Sequence, residues 1–209
     1  FGHVGYLLTN IARTFWLGLS HGRLSKAPGK GDVRRYFQSL NWMSAAFALC
    51  ADLSLMTLGG ALKRKERLSA RLGDLLSELY IASASLKRFH DDGSPQQDLP
   101  LLRWAMEDSL HRIHLALRGL FRNLPLRPLG WLMKLLVFPA GQPFHTPSDR
   151  LDREVADLLL RPGEARDRLT RHVYLSDDPD NPVGLLEQAL AAAIDAQPLE
   201  RTLREARKA

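Results

Sequence analysis

The chain has 209 residues, 45% of them apolar and 25% charged, which is enough to bury a sizeable core and too apolar for a disordered tail. A single cysteine, Cys50, excludes an internal disulfide framework and fits a reducing, cytoplasmic setting. The net charge of +6 is uneven: residues 1–90 carry 13 Lys and Arg against 5 Asp and Glu, a net +8, while residues 91–209 come to −2.

Phe1-Gly2-His3 opens the chain without an initiator methionine or a charged leader, which reads as a fragment of a longer protein. Leu7, Leu8, Ile11, Ala12, Phe15, Trp16 and Leu19 then share one helix face. Ser20 to Gly31 is a basic loop. Its Gly29-Lys30-Gly31 lacks the upstream glycine and the following Ser or Thr of a phosphate-binding loop, so it reads as a linker. Asp32 is a predicted N-cap for a second helix, whose apolar positions run from Tyr36 through Cys50 to Leu58. Cys50 reads as a buried small hydrophobe.

Gly59-Gly60 breaks that helix, and the spacing predicts another from there to about Asp91, faced by Leu68, Leu72, Leu75, Leu76, Leu79, Ala82 and Leu86. The two long helices form a predicted antiparallel hairpin. Gly73 inside the second implies close approach by a neighbouring helix. Asp98 before Leu99-Pro100 starts a further helix, faced by Leu102, Met106, Leu110, Ile113, Leu117 and Leu120 and ended by Pro125 and Pro128. Leu129 to Phe138 is the most apolar stretch; it is too short to span a bilayer, and reads as a core helix or an interfacial membrane segment. Ser148 caps a helix through Leu151, Val155, Leu158 and Leu159, stopped by Pro162-Gly163. A short helix through Leu169 precedes an acidic turn at 176–182. Another helix runs from Val183 through Ile194, and Pro198 begins a weaker, charged one. The expected fold is all-α, an antiparallel helical bundle with long helices and irregular loops. It comprises a basic hairpin part at 1–93 and the remaining helices at 98–209.

Few constellations could carry chemistry. Glu107, His111 and His114 lie at spacings of four and three on one predicted helix, but the Glu-x-x-His order of a di-iron bundle is missing, so the histidines read as surface residues and no metal site is assigned. Asp178 and Asp180 suggest a calcium loop, yet Pro179 and Pro182 break the pattern and the stretch reads as a turn. Lys63, Arg67 and Arg71, widened by Arg64 and Lys65, make a basic stripe. It reads as a solvated face with Asp74 and Glu78 as partners, or else as contact with anionic lipid or a phosphate-bearing ligand. Nucleic acid fits poorly, because no aromatic residues interleave with these charges.

Three stretches together resemble one family. They are Gly2-His3-Val4-Gly5 with Ala12-Arg13-Thr14-Phe15-Trp16-Leu17-Gly18-Leu19; Leu58-Gly59-Gly60-Ala61-Leu62-Lys63-Arg64 with Arg67-Leu68-Ser69-Ala70-Arg71-Leu72-Gly73-Asp74; and Asn181-Pro182-Val183-Gly184-Leu185-Leu186-Glu187, preceded by Pro147-Ser148-Asp149-Arg150-Leu151-Asp152. Nearly the whole chain is similar to the C-terminal region of the large bacterial long-chain acyl-CoA dehydrogenases of fatty-acid β-oxidation. The resemblance implies a parent enzyme that converts acyl-CoA to trans-2-enoyl-CoA with FAD as hydride acceptor, a glutamate removing the α-proton. In that family the glutamate stands in a Glu-Gly pair. Here Glu66, Glu78, Glu107, Glu154, Glu164, Glu187, Glu200 and Glu205 are all followed by other residues. No catalytic, FAD-binding or metal residue is therefore expected in this segment. The resemblance implies an inactive helical domain that packs on the dehydrogenase core of the same chain, with homo-oligomer contacts and peripheral contact with the inner membrane. The rival reading is a free-standing helical adaptor for an acidic protein or lipid surface.

Overall fold

A computed structural model describes residues 2–174, 176 and 181–207. Among them every regular element is helical, as the periodicity predicts. These are α1 (Gly2–Leu19), α2 (Gly31–Leu58), α3 (Ala61–Arg64), α4 (Glu66–Asp91), α5 (Leu99–Asn123), α6 (Arg127–Val137), α7 (Asp149–Leu160), α8 (Glu164–Thr170) and α9 (Pro182–Ala206), with a 3-10 turn at Gln96–Asp98 before α5. Two compact units result, Phe1–Leu151 and Asp152–Ala209.

The first unit is built on the seam between α4 and α5, the most extensive helix pairing among the described residues. On α4, Leu68, Leu75, Leu79, Ala82, Leu86 and Phe89 are buried; on α5, Leu102, Met106, Leu110, Ile113, Leu117 and Leu120 are buried. Steps of three and four put each set on one stripe, so the two stripes can close on each other along five or more turns. Each fully buried large side chain contributes about 1.5–3 kcal/mol relative to exposure. The helix α2 lies along this pair with Leu40, Trp42, Met43, Ala46 and Cys50 inside, and burial pushes the Cys50 thiol up, out of the reactive range.

Two helices close the unit. In α1, Leu17 is buried, Thr14 Oγ1 donates to Ala45 O at 3.1 Å, and Asn10 Nδ2 donates to Asp52 Oδ2 at 3.3 Å. In α6, Gly130, Met133 and Val137 face inward while Trp131, Leu132 and Leu135 stay in water. The apolar stretch is thus half core and half exposed face. Trp42 is fully buried, and its indole Nε1 donates to Val137 O at 3.0 Å, which ties α2 to the end of α6. Leaving that donor unpaired in the core would cost about 1–3 kcal/mol.

Several local expectations are corrected. Asp32 makes no cap bond; it lies in the first turn of α2 and pairs with Arg103 Nη2 of α5 at 2.7 Å. Gly59, at φ 49°, takes a left-handed conformation that admits glycine best, but the chain does not pass straight into the long helix. The short α3 intervenes, and Lys65 separates it from α4 at φ −95° and ψ 63°. Pro128 stands in the first turn of α6, where its missing N–H costs nothing. Pro198 lies inside α9, which continues to Ala206.

In the second unit, Arg166 Nε donates to Leu159 O at 3.0 Å and the Arg166 guanidinium pairs with Glu187. Asn181 caps α9, its Oδ1 accepting from the amides of Val183 and Gly184 at 3.0 Å each. Ser148 caps α7 as expected, through Leu151 N at 3.3 Å. Asp178 and Asp180 lie outside the described residues.

Close backbone approach does not fall at the glycine the sequence suggests. Gly73 is exposed, with nothing within 4 Å of where a Cβ would stand. At Gly130 a Cβ would sit 2.3 Å from Phe121 O, so α6 crosses α5 backbone to backbone. Gly73→Ala is therefore expected to raise unfolding stability by about 1 kcal/mol, and Gly130→Ala to lower it by about 1–3 kcal/mol, both read by urea denaturation. Loss of stability in Gly73→Ala would contradict the packing described.

Candidate functional site

The packing of α2, α5 and the 138–147 loop leaves a cleft of about 390 Å³. Trp42, Phe144 and His21 line it, with ring centroids 5.3 Å apart for Trp42 and Phe144 and 5.6 Å for His21 and Trp42, and Phe138 packs on Trp42 at 5.6 Å. Arg35, Tyr36, Glu107 and His145 supply the polar wall. The loop is held over the cleft by His21 Nε2 against Ala140 O at 3.3 Å and by His111 Nδ1 against Phe144 O at 3.5 Å.

The electrostatics follow from partial burial. Desolvation holds the Glu107 carboxyl above its ordinary range, Arg103 opposes that shift, and Asp32 adds to it. Desolvation also raises the Tyr36 phenol, assisted by Glu107 and Asp32. The Arg35 guanidinium is lowered by desolvation and by Arg23, and its Nη1 donates to Gln38 Oε1 at 2.9 Å. A perturbed carboxyl in a cleft is a recognised mark of a functional site. This cleft offers one cation, one carboxyl and a phenol, a set that can bind and orient a small polar molecule.

Of the residues singled out from the sequence, Glu107 lines this cleft, while His111 and His114 do not join it as ligands. Among the described residues no three His, Cys, Asp or Glu side chains converge on a metal position. His114 is not a surface residue: it is 6% exposed, stacked on His111 at 6.3 Å and edge-on to Phe138 at 5.5 Å between ring centroids, with Nδ1 unpaired. The remaining cleft residues are spread from His21 to Thr146, and no spacing rule unites them.

A second cleft, of about 450 Å³, opens at the corner between α3 and α4, lined by Arg64, Lys65, Arg67 and Arg71 with Glu66 and Asn123. The basic stripe does not pair with Asp74 and Glu78. Glu78 instead stands 4.0 Å from Arg112 of α5.

Desolvation lowers the His114 pKa, and the nearby charges of His111, Arg118 and His145 lower it further. A folded-state pKa below the unfolded value near 6.5 means that the unfolded chain binds more protons in that window. Stability is therefore expected to rise with pH through the window and to be weaker below it. His114→Leu is expected to flatten that rise by up to one proton's worth of slope in chemical denaturation between pH 5 and 8. Equal slopes in the two proteins would contradict the buried, neutral imidazole.

No solved structure matches the chain. A family model described as "Acyl-CoA dehydrogenase, C-terminal, bacterial type" matches residues 1–209, the entire sequence. Its span takes in the helical seam, both clefts and the second unit. The chain belongs to the bacterial-type acyl-CoA dehydrogenase C-terminal domain family.

Proposed function

We propose that this chain is the non-catalytic helical domain of an FAD-dependent long-chain acyl-CoA dehydrogenase. The parent enzyme oxidises acyl-CoA to trans-2-enoyl-CoA in fatty-acid β-oxidation. The observation that carries the reading is the family match over the full sequence, joined to the lack of any Glu-Gly pair among its glutamates. The flavin supplies hydride acceptance when bound to such an enzyme. The residues here do not fit it: Trp42 is covered by Phe138 and Phe144 and presents no open ring face, and the basic cleft has no aromatic wall. No flavin chemistry is routed through them.

The domain's own role is structural, as a docking body for the dehydrogenase core and for a second copy of the enzyme. In support, α1 and α6 pack together, and each leaves large apolar groups in water: Trp16 and Leu19 on one, Trp131 and Leu135 on the other. Exposed apolar groups of this size fit a covered face. Among the described residues no helix is long and apolar enough to cross a membrane. Membrane contact would therefore be peripheral and led by the net +8 of residues 1–90.

The purified chain, supplied with FAD and long-chain acyl-CoA under anaerobic conditions, is expected to give no flavin bleaching, while the full parent enzyme bleaches on the same substrate. Bleaching by the chain alone overturns the non-catalytic role, and silence of the full enzyme overturns the dehydrogenase. Co-sedimentation with anionic vesicles at low salt, weakened at high salt, is the expected mark of membrane contact; no co-sedimentation at low salt removes it.

A further inference from the structure

The basic run at Lys63-Arg64-Lys65 is bent around a corner, and the corner concentrates charge. Helix α3 stops at Arg64, Lys65 turns the chain, and α4 begins at Glu66. Arg64, Lys65, Arg67 and Arg71 thereby line one cleft, four cations against the single carboxylate of Glu66. Among the described residues none of these four is in an ion pair. Elsewhere Arg103, Arg112, Arg166 and Arg204 each have a carboxylate partner. Gathering like charges costs free energy unless an anion offsets it.

The wall is also fixed in place. Gly119 of α5 gives Arg71 room to lie against the helix, since a Cβ there would stand 2.7 Å from Arg71 Nε. Arg71 Nη1 donates to Arg67 O at 3.2 Å, and Asn123 Nδ2 to Gly119 O at 2.7 Å. Arg71 is half-buried while Arg64, Lys65 and Arg67 are exposed, so the cleft has a fixed inner cation and an open rim.

We propose that this cleft is a binding site for a phosphate group, borne by a small soluble molecule or by a lipid headgroup. Three guanidiniums supply planar forks that match tetrahedral oxygens two at a time, and the ammonium adds a point charge. With no aromatic side chain lining it, the cleft offers a base nothing to stack on, so the recognised group is the phosphate itself. The site goes beyond the docking role and holds whether or not the domain meets a membrane.

The test uses the purified chain at fixed ionic strength. Sodium pyrophosphate is titrated in a calorimeter, and vesicles of phosphatidate or of phosphatidylcholine alone are sedimented with the chain. The variants are the double Arg64→Gln/Arg67→Gln, Gly119→Ala to displace Arg71, and Arg34→Gln, an exposed cation outside the cleft, as control. Saturable pyrophosphate binding, weakened about tenfold or more in the double variant and also in Gly119→Ala, assigns the site to soluble phosphate. Binding confined to phosphatidate vesicles with the same variant dependence assigns it to a lipid headgroup. Absence of both, or equal weakening by Arg34→Gln, overturns the site. Neither outcome depends on the flavin assay, so the two readings fail separately.

Discussion

The apolar seam between α4 and α5 is the constraint on which the first unit rests. Two helices of 26 and 25 residues are joined through a short 3-10 turn, so they cannot avoid lying side by side, and both stripes are leucine-rich where they meet. Core residues of α2, α1 and α6, among them Trp42, Met43, Leu17, Met133 and Val137, then have a fixed surface to pack on. Trp42 illustrates the dependence: its ring can be wholly buried only because α6 ends where Val137 O can accept the indole proton. The same contact places Phe138 and the loop that forms the aromatic cleft.

Both clefts are by-products of where that seam begins and ends. The aromatic cleft lies beside the N-terminal half of α5, where Glu107 is drawn partly out of water. The basic cleft lies where α4 starts and α5 finishes, near Asn123. At the second place the chain needs a sharp corner after Gly59, and α3 with Lys65 makes it. The cost of crowding Arg64, Lys65, Arg67 and Arg71 together is thus tied to the turn that lets α4 reach α5. Glu78, two turns further along α4 from Arg71, is turned toward Arg112.

Much of the fold was legible in the sequence because leucine periodicity reports directly on burial. The α4 stripe from Leu68 to Leu86, the α5 stripe at 102–120 and the burial of Cys50 follow from spacing and residue type, except that Leu76 is exposed. The expected face of α1 fails: Leu8, Trp16 and Leu19 are exposed, while Asn10, Thr14 and Leu17 are buried. What spacing could not convey is three-dimensional coincidence. Asp32 has the chemistry of a cap, yet Arg103 competes for its carboxylate from 71 residues away. Gly73 and Gly130 are indistinguishable as letters, and only the crossing of α6 over the Phe121 carbonyl separates them. Pro198 reads as the start of a separate, weaker helix, but α9 runs through it to Ala206. The aromatic cleft was almost invisible, its residues being scattered over more than a hundred positions, and Glu107 stood out for an unrelated reason. The basic cleft was half legible: the charges were evident, their bend around α3 was not. The family match adds what no spacing conveys, membership of the bacterial-type acyl-CoA dehydrogenase C-terminal domain family.

Amide hydrogen exchange on the purified chain tests the central claim, that the α4–α5 seam is the element on which the domain is built. The account predicts the slowest exchange in Leu75–Phe89 and Leu102–Leu120, approaching the global unfolding limit, with faster exchange through the largely exposed α9. Exchange in the two seam helices as fast as in α9 would contradict it.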